Sequence, residues 1–275
     1  MYLSKSIRKL IPLVMCFGTA QAMLKAEPDA ATSEAKTYAS LEDLTHSIIE
    51  KIKKNPNLLF IKPCPRKNPL VYDLCTKAGR APLLNNLIKS KALNKDAEVG
   101  LLHEKYPLII LAIGSKAQDN MKVLLAAEVD LNITSTNPNA VLSKCTPLSL
   151  AIENEDPVAV EMVLQSCAAQ QKVTQFTGLM SKGLVNASCD TVRLPLMQAV
   201  DRICISNKRD VLLNIIKILL QYRADPNRHD AYGARLGNSR GTYTVDTPYE
   251  LAEARRYEDI MDLFDLSTSK ERNVH

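Results

Sequence analysis

The sequence predicts an all-α fold, a solenoid of about five helix-turn-helix units behind an N-terminal capping helix. A proline-led apolar motif recurs with prolines at positions 69, 107, 147, 195 and 248, at spacings of 38, 40, 48 and 53 residues. Each copy is followed by a second apolar cluster. The composition is that of a globular chain, since 46% of the 275 residues are hydrophobic and 24% are charged. Such self-similarity is typical of stacked repeats.

The third copy, TPLSLAIENEDPVAVEMVL, shows how one unit would form. Thr146 can accept a backbone N–H at a helix start, and Pro147 suits the first helical position. The expected apolar stripes are Leu148, Ala151 and Ile152 on the first helix and Ala159, Val160, Val163 and Leu164 on a second helix from Pro157. Two helices this short are not stable alone in water, so we expect stacked neighbours to bury them.

The first 22 residues have the order of a secretory signal peptide. Lys5, Arg8 and Lys9 precede an apolar run that ends in Ala20-Gln21-Ala22. We therefore predict a signal peptide over 1–22, with a buried N-terminal helix as the alternative, and a mature protein that is periplasmic or secreted. No later run reaches the ~20 apolar residues of a spanning helix, so no membrane insertion is expected after cleavage.

The charge of the mature chain is no evidence for a nucleic-acid partner. Three of the 35 basic residues and none of the 30 acidic residues lie in the signal, which leaves 32 basic against 30 acidic residues. No clustered basic helix remains to bind phosphates, so no nucleic-acid partner is expected.

Two segments precede the repeats. Residues 23–40 are rich in Ala and polar residues without a sustained period, which predicts a flexible leader. Residues 41–58 are predicted to hold the capping helix, which Asn55 and Pro56 would end. Its expected apolar face is Leu41, Leu44, Ile48, Ile49 and Ile52.

The chain resembles an ankyrin-repeat protein, whose pattern is TPLHLAA, a turn, a VVKLLL cluster and GADVN. The residues that carry the resemblance are Thr146-Pro147-Leu148 with Ala151, Thr247-Pro248 with Leu251-Ala252, Ala224-Asp225-Pro226-Asn227, and Asp130-Leu131-Asn132. The resemblance implies an ankyrin-repeat domain over 62–266 with a polar tail at 267–275. It also implies a concave surface, formed by first helices and finger loops, that docks a protein partner.

The chain departs from the family pattern at identifiable places. The family usually has a left-handed Gly after the second helix, where this chain has Glu128, Cys167 and Arg223, at a cost of ~1 kcal/mol each. The His of TPLH is replaced by Val71, Ile109, Ser149, Met197 and Glu250. Extra residues are expected between Ala199 and Asn214, after Ala168 up to Arg193, and after Gly233 up to Asp246.

The candidate partner-binding residues lie in two groups. Tyr and Arg dominate binding hot spots, and the last insert supplies Arg228, His229, Tyr232, Arg235, Arg240 and Tyr243. If the family geometry holds, Glu153, Gln198 and Asp201 face the groove, together with Ser149 and Glu253. Three of these five residues are acidic, which favours a partner with a basic patch. A solvated loop and ordinary surface solubility explain both groups equally well.

A second insert has a helical spacing of apolar residues, namely Val173, Phe176, Leu179 and Met180. It predicts a small helix that covers the solenoid, with a docking arm as the alternative.

The cysteines allow two interpretations. An exported chain permits disulfides, and Cys64 with Cys75 and Cys189 with Cys204 are the nearest pairs in sequence. Alternatively, several of them are small buried apolar residues. Zinc is not expected, because there is no C-x-x-C and His46, His103, His229 and His275 lack ligand spacing.

No catalytic motif and no cofactor motif occurs in the sequence. The sequence therefore predicts a non-catalytic, exported protein-binding module without a cofactor or metal. A self-associating envelope scaffold is the alternative. A cysteine-dependent enzyme, which needs a Cys and a His within hydrogen-bond reach, is a third hypothesis.

Overall fold

The structure, a computed structural model, describes residues 41–60, 68–101, 104–136, 144–174, 193–230, 234–238 and 241–272. The chain divides into two compact units, Met1–Val129 and Asp130–His275. The described residues form eleven α-helices and three two-stranded hairpins. The predicted signal peptide and flexible leader lie outside the described residues.

Unit 1 contains an N-terminal helix and two helix hairpins. Its elements are α1 (Leu41–Lys54), a 3-10 turn (Pro56–Leu59), α2 (Leu70–Thr76), α3 (Ala81–Lys89), β1 (Glu98–Leu101), β2 (Glu104–Pro107), α4 (Leu108–Gly114) and α5 (Gln118–Ala126). The hairpin α2–α3 stacks on the hairpin α4–α5, because α2 packs against α4 and α3 packs against α5. Helix α1 packs on α3 as the predicted cap, with Ile49 and Ile52 buried.

Unit 2 contains three further helix hairpins. Its elements are β3 (Ser135–Thr136), β4 (Lys144–Cys145), α6 (Pro147–Glu153), α7 (Pro157–Thr174), α8 (Pro195–Arg202), α9 (Arg209–Gln221), β5 (Ala234–Asn238), β6 (Gly241–Val245), α10 (Pro248–Ala254) and α11 (Glu258–Arg272). Helices α6, α8 and α10 form one layer, and α7, α9 and α11 form a second layer. The two units together confirm the five predicted helix-turn-helix units.

The apolar stripes that the sequence predicted form the core between these layers. In the third helix hairpin, every member of both predicted stripes is buried, including Leu148 and Val160 at 0% exposure. In the fourth and fifth hairpins, Ile215, Ile216 and Leu219 are buried, as are Ile260 and Phe264. Each helix is therefore stabilised by the helices beside it more than by its own short hydrogen-bond ladder.

Three short β-hairpins interrupt the helical pattern, which the all-α prediction did not include. They pair β1 with β2, β3 with β4, and β5 with β6, all antiparallel. The segment after Gly233, expected as a loop, forms the longest described strands of five residues each. Thr242, Thr244 and Val245 explain the difference, because β-branched residues favour extended backbone.

Among the residues that the structure describes, seven adopt the left-handed conformation at helix ends, and Gly79 is the single glycine of the seven. The others are Lys91, Lys116, Glu128, Glu155, Arg223 and Arg256, with φ between 52° and 64°. Glu128 and Arg223 therefore take the place of the family's glycine without a change of backbone. At Cys167 the chain leaves the family pattern, because α7 continues through that residue to Thr174.

Several turns and helices differ in length from one helix hairpin to the next. The turn from α8 to α9 spans residues 203–208, whereas the turn from α6 to α7 spans only 154–156. With its 13 residues, α9 is also longer than α5, which has nine. Helix α11 runs to Arg272 and so includes most of the predicted polar tail. Phe176, Leu179 and Met180 of the second insert lie outside the described residues.

Candidate protein-binding surface

The layer formed by α6, α8 and α10 is the candidate surface, and we call it the inner layer. Helix α6 packs against α8, and α8 packs against α10. Ala151, Ala199 and Ala252 lie at matching places on the three helices and are fully buried. Because an Ala side chain is small, neighbouring helix backbones can approach closely at these points. The polar residues of the three helices are thereby brought side by side.

Two inner helices begin with a reciprocal cap. Thr146 Oγ1 accepts the Ser149 backbone N–H at 3.1 Å, and Ser149 Oγ accepts the Thr146 N–H at 2.7 Å. At α10, Thr247 Oγ1 accepts from the Glu250 N–H at 3.1 Å, and Glu250 Oε2 accepts from Thr247 N–H at 3.2 Å. The predicted Thr146 cap is confirmed. Ser149 and Glu250 each complete a capping box, which fixes the direction in which the helix leaves the preceding strand.

Backbone hydrogen bonds also set the charge state of Glu250. Its Oε2 accepts the Asp246 N–H at 2.9 Å. This bond, followed by those from Thr247, holds the pKa of the Glu250 carboxyl below its ordinary value of 4.5, although burial acts in the opposite direction.

The predicted groove residues Gln198 and Asp201 bridge neighbouring elements. Gln198 Nε2 donates to the Ser149 carbonyl at 3.2 Å and so ties α8 to α6. Its Oε1 is buried and has no hydrogen-bond partner among the described residues. Asp201 accepts from Arg193 Nη1 at 2.6 Å and lies 3.9 Å from Arg255 Nη2. Because two guanidinium groups face Asp201, the inner layer is less acidic than its sequence suggests.

A second ionic cluster lies at the turn from α6 to α7. Glu155 accepts from Arg202 Nη2 at 3.1 Å and lies 3.3 Å from Lys208 Nζ. Burial raises the pKa of the Glu155 carboxyl, but hydrogen bonds from Ser206, Arg202 and Lys208 outweigh it and leave the pKa lowered. The cluster holds the long α8–α9 turn against the preceding turn. The sequence did not predict this cluster, because Arg202 and Lys208 lie 47 and 53 residues after Glu155.

The β5–β6 hairpin carries part of the other predicted group. Arg235 is paired in register with Thr244, and Tyr243 with Leu236. Before the hairpin, Arg228 is half-buried and His229 is exposed. Tyr232 and Arg240 lie outside the described residues. The base of the hairpin is fixed, because the Asp230 N–H donates to the Asp246 carbonyl at 2.7 Å and the buried Asp230 carboxylate accepts the Leu194 N–H at 3.2 Å.

A solved structure is similar to this chain in its fold. It is the crystal structure of the ankyrin repeat domain of Bcl-3, described as a unique member of the IkappaB protein family, with a TM-score of 0.50 and 18% sequence identity. The match covers 81% of this chain and 77% of that chain. This chain has an ankyrin-repeat fold. No protein-family model matches the sequence, and no curated protein matches it either.

The ankyrin-repeat fold gives the predicted groove residues a common position. Glu153, Gln198 and Asp201 all lie on inner-layer helices of unit 2, and all three are half-buried. The structure therefore brings them together on one layer, and the β5–β6 hairpin forms a finger that leads into α10 of the same layer.

The cysteines of the ankyrin-repeat chain occur in contrasting environments. Cys75 and Cys145 are buried and form no bridge to another described cysteine, and burial raises the pKa of each thiol to about 12. Cys204 is a free, exposed thiol, with Sγ 3.0 Å from Tyr257 Oη. The partners expected for Cys75 and Cys204, Cys64 and Cys189, lie outside the described residues, so both disulfides stay predictions.

The described residues contain neither a metal-binding group of side chains nor a membrane-spanning helix. Among them, no group of three or more His, Cys, Asp or Glu side chains is placed to hold a metal ion. In the same part of the chain, no helix combines the length and apolar character needed to cross a membrane.

Proposed function

We propose that this protein is an exported, non-catalytic module that binds a protein partner through the inner layer of unit 2 and the β5–β6 hairpin. The observation that carries the proposal is the side-by-side placement of α6, α8 and α10, with a finger hairpin leading directly into α10. Ankyrin-type repeats commonly use such a surface, because stacking creates a continuous area from side chains far apart in sequence.

The ion pairs of the inner layer support the proposal. Arg193 and Arg255 hold Asp201 in place, and Gln198 is fixed by the Ser149 carbonyl. Side chains already held by neighbours lose little conformational freedom when a partner binds.

Export is part of the same proposal and rests on the N-terminal sequence. The basic residues, the apolar run and Ala20-Gln21-Ala22 favour cleavage after Ala22 and a periplasmic or secreted mature chain. N-terminal sequencing of the protein recovered outside the cytoplasm should begin at Met23. Recovery of an intact N-terminus from the cytoplasm would contradict export.

The binding surface is tested with the mature chain as bait and mass spectrometry to identify the partner. Replacing residues 234–245 by a short Gly-Ser turn, or reversing charge with Glu153→Lys, should weaken capture of that partner at least about tenfold. The matched control is Glu161→Lys on α7, where the side chain is exposed on the other layer. Undiminished capture by both the hairpin replacement and Glu153→Lys would contradict the assigned surface.

Self-association is the second candidate function, and one observation favours it. Leu266 on the last helix, α11, is 59% exposed. Exposed apolar residues at the end of a repeat array invite contact with a second copy. Sedimentation of the wild-type mature chain and of its Leu266→Glu variant distinguishes the self-associating scaffold from the protein-binding module. A concentration-dependent dimer that Leu266→Glu abolishes would favour the scaffold, and a strict monomer would count against it.

A further inference from the structure

Asn132 is the first residue of an Asn-x-Thr triplet, with Ile133 in the middle position and Thr134 in the third. Such a triplet, with any residue except proline in the middle, is the acceptor sequence for N-linked sugars on secreted chains. Because the attached sugar is bulky and hydrated, the triplet can serve only where its side chains are accessible. A second triplet, Asn186-Ala187-Ser188, lies outside the described residues.

The local structure exposes both side chains that the triplet requires. The triplet lies in the connection between the end of α5 and the start of β3. Leu131 before it and Ser135 after it are buried, at 1% and 8% exposure. Between them, Asn132 and Thr134 are both exposed. The segment is thus anchored at its two ends, while the amide and the hydroxyl remain accessible from solvent in a surface loop.

The turn at Asn132 does not use its side-chain amide. The Asn132 backbone N–H donates to Asp130 Oδ1 at 2.8 Å, so the Asp side chain and the Asn backbone form the turn. Asn227 is exposed in a turn of the same kind, and its N–H donates to Asp225 Oδ1 at 2.9 Å. Two residues after Asn227 the chain has His229 in place of a hydroxyl residue. Of these two turns, the one at Asn132 therefore has the complete acceptor triplet.

We propose that Asn132 is a glycosylation site, at which an oligosaccharide is attached to the side-chain amide during export. This inference rests on the proposed export and adds a covalent modification to it. The donor is an oligosaccharide linked through pyrophosphate to a polyprenyl lipid. Asn132 Nδ2 forms a bond to the anomeric carbon of the sugar, and the bond from that carbon to the pyrophosphate oxygen breaks. The pyrophosphate keeps the electron pair and one amide proton is released to solvent, so no oxidant or reductant is needed.

The test uses the mature chain purified from the cells that export it and digested with trypsin. Cleavage after Lys122 and Lys144 releases residues 123–144, in which Asn132 begins the single Asn-x-Ser or Asn-x-Thr triplet. Mass spectrometry should find this peptide with a sugar attached. Electron-transfer fragmentation, which leaves the sugar on the chain, should place the added mass on Asn132. An unmodified peptide, or a sugar on another residue of it, would overturn the site.

Three variants of the chain test the triplet itself. Thr134→Val removes the hydroxyl with little change of side-chain volume and should abolish the sugar at Asn132, whereas Thr134→Ser keeps the hydroxyl and should retain the sugar. His229→Thr completes the triplet in the matching turn and should add a sugar at Asn227. A sugar that persists in Thr134→Val would overturn the inference. So would a sugar at Asn227 of His229→Thr in a chain whose Asn132 is unmodified.

The failure of this inference is distinguishable from failure of the proposed function. An exported chain that begins at Met23 and has no sugar on Asn132 overturns the glycosylation site and leaves export standing. An unmodified chain with an intact N-terminus overturns both. If the hairpin replacement and Glu153→Lys leave capture of the partner undiminished, the assigned binding surface is wrong, whichever form Asn132 takes.

Discussion

In the described part of the chain, six residues other than glycine have a left-handed backbone conformation that glycine adopts without strain. Lys91, Glu128 and Arg223 follow second helices, and Lys116, Glu155 and Arg256 follow first helices. The surrounding hydrogen bonds repeat from unit to unit. The Ala92 N–H donates to the Leu87 carbonyl, as the Ala224 N–H does to the Leu219 carbonyl. These hydrogen bonds therefore set the end of each helix. They satisfy carbonyls that would otherwise be unpaired, and this offsets the cost of a left-handed backbone at a residue other than glycine.

Lys91→Gly should raise the free energy of unfolding by about 1 kcal/mol relative to Lys91→Ala, because Gly has no Cβ to clash at φ 58°. Urea unfolding followed by circular dichroism measures the difference. The control is Lys89→Gly, two residues earlier inside α3, which should lower the free energy by about 1 kcal/mol. A loss of stability in both glycine variants would show that position 91 is not left-handed in solution.

The cap at Glu250 should make stability depend on acid pH. Its pKa is lowered in the folded chain, so its contribution is complete above its ordinary value of 4.5 and is lost as the pH falls through the folded value. The Tm difference between wild type and Glu250→Gln should therefore shrink as the pH is lowered from neutral to about 3. Glu253→Gln on the same helix is the control for a general change of charge. A Tm difference that is constant over this range would contradict the bonds to Asp246 and Thr247.

The thiols should differ in reactivity. In the native mature chain at neutral pH, iodoacetamide should label Cys204 at least about tenfold faster than Cys75 and Cys145, which are buried and have raised pKa values. Mass spectrometry of tryptic peptides measures the rates. If Cys204 reacts only after reduction, the predicted bridge to Cys189 exists in solution. Equal labelling of Cys75 would contradict its buried position.

At the scale of the elements, Asn120 joins the start of α5 to the end of α2. Its side chain is 1% exposed, and Nδ2 donates to the Cys75 and Lys77 carbonyls at 2.9 and 3.0 Å. Carbonyls at a helix end have no partner within the helix, so an amide from the next hairpin satisfies them. Adjacent hairpins of unit 1 are thus joined by polar contacts as well as by apolar packing.

Asn120→Ala should lower the free energy of unfolding by about 2 kcal/mol, because the buried Cys75 carbonyl and the part-buried Lys77 carbonyl lose their donor. Asn120→Asp should cost more, since a carboxylate would face two carbonyl oxygens. Urea unfolding measures both. Gln118→Ala on the same helix, where the side chain is exposed, should change stability by no more than about 0.5 kcal/mol. Equal effects at positions 118 and 120 would contradict the role of Asn120.

Helices and their caps could be predicted where a short motif of neighbouring residues specifies them. Thr146 and Pro147 identified the start of α6, and Asp130 to Asn132 and Asp225 to Asn227 identified turns in which the Asp side chain accepts the N–H two residues on. The Ser149 and Glu250 caps follow the same local spacing, at positions where the family pattern has a His.

The contacts across the candidate surface could not be predicted in this way. Gln198 meets the Ser149 carbonyl, and Arg202 meets Glu155, across 49 and 47 residues. Nothing local in the sequence specifies such partners, because stacking alone brings them together. The β5–β6 hairpin was missed for a related reason. Its five-residue strands are short, and its turn lacks the Asn-Gly signal that usually identifies a hairpin.

For the whole molecule, stability should depend on the number of stacked hairpins. A peptide of residues 146–174 contains all of α6 and α7 but none of the neighbours that bury them, so it should be mostly unfolded in water. Circular dichroism measures its helix content. The control is residues 130–275, which hold three helix hairpins and a core of their own, and should be helical and unfold cooperatively. A stably helical short peptide would contradict mutual stabilisation.

Among the described residues, the scarcity of glycine at the left-handed helix ends has a consequence for the substitutions that the fold tolerates. The ankyrin-repeat pattern has that glycine after its second helix and a His in its first helix. This chain keeps the backbone geometry with Lys, Glu or Arg in place of Gly, and in two of its helix hairpins a capping box with Ser or Glu in place of His. Both residue types can therefore be replaced without loss of the fold, as long as the backbone hydrogen bonds at the helix ends are kept.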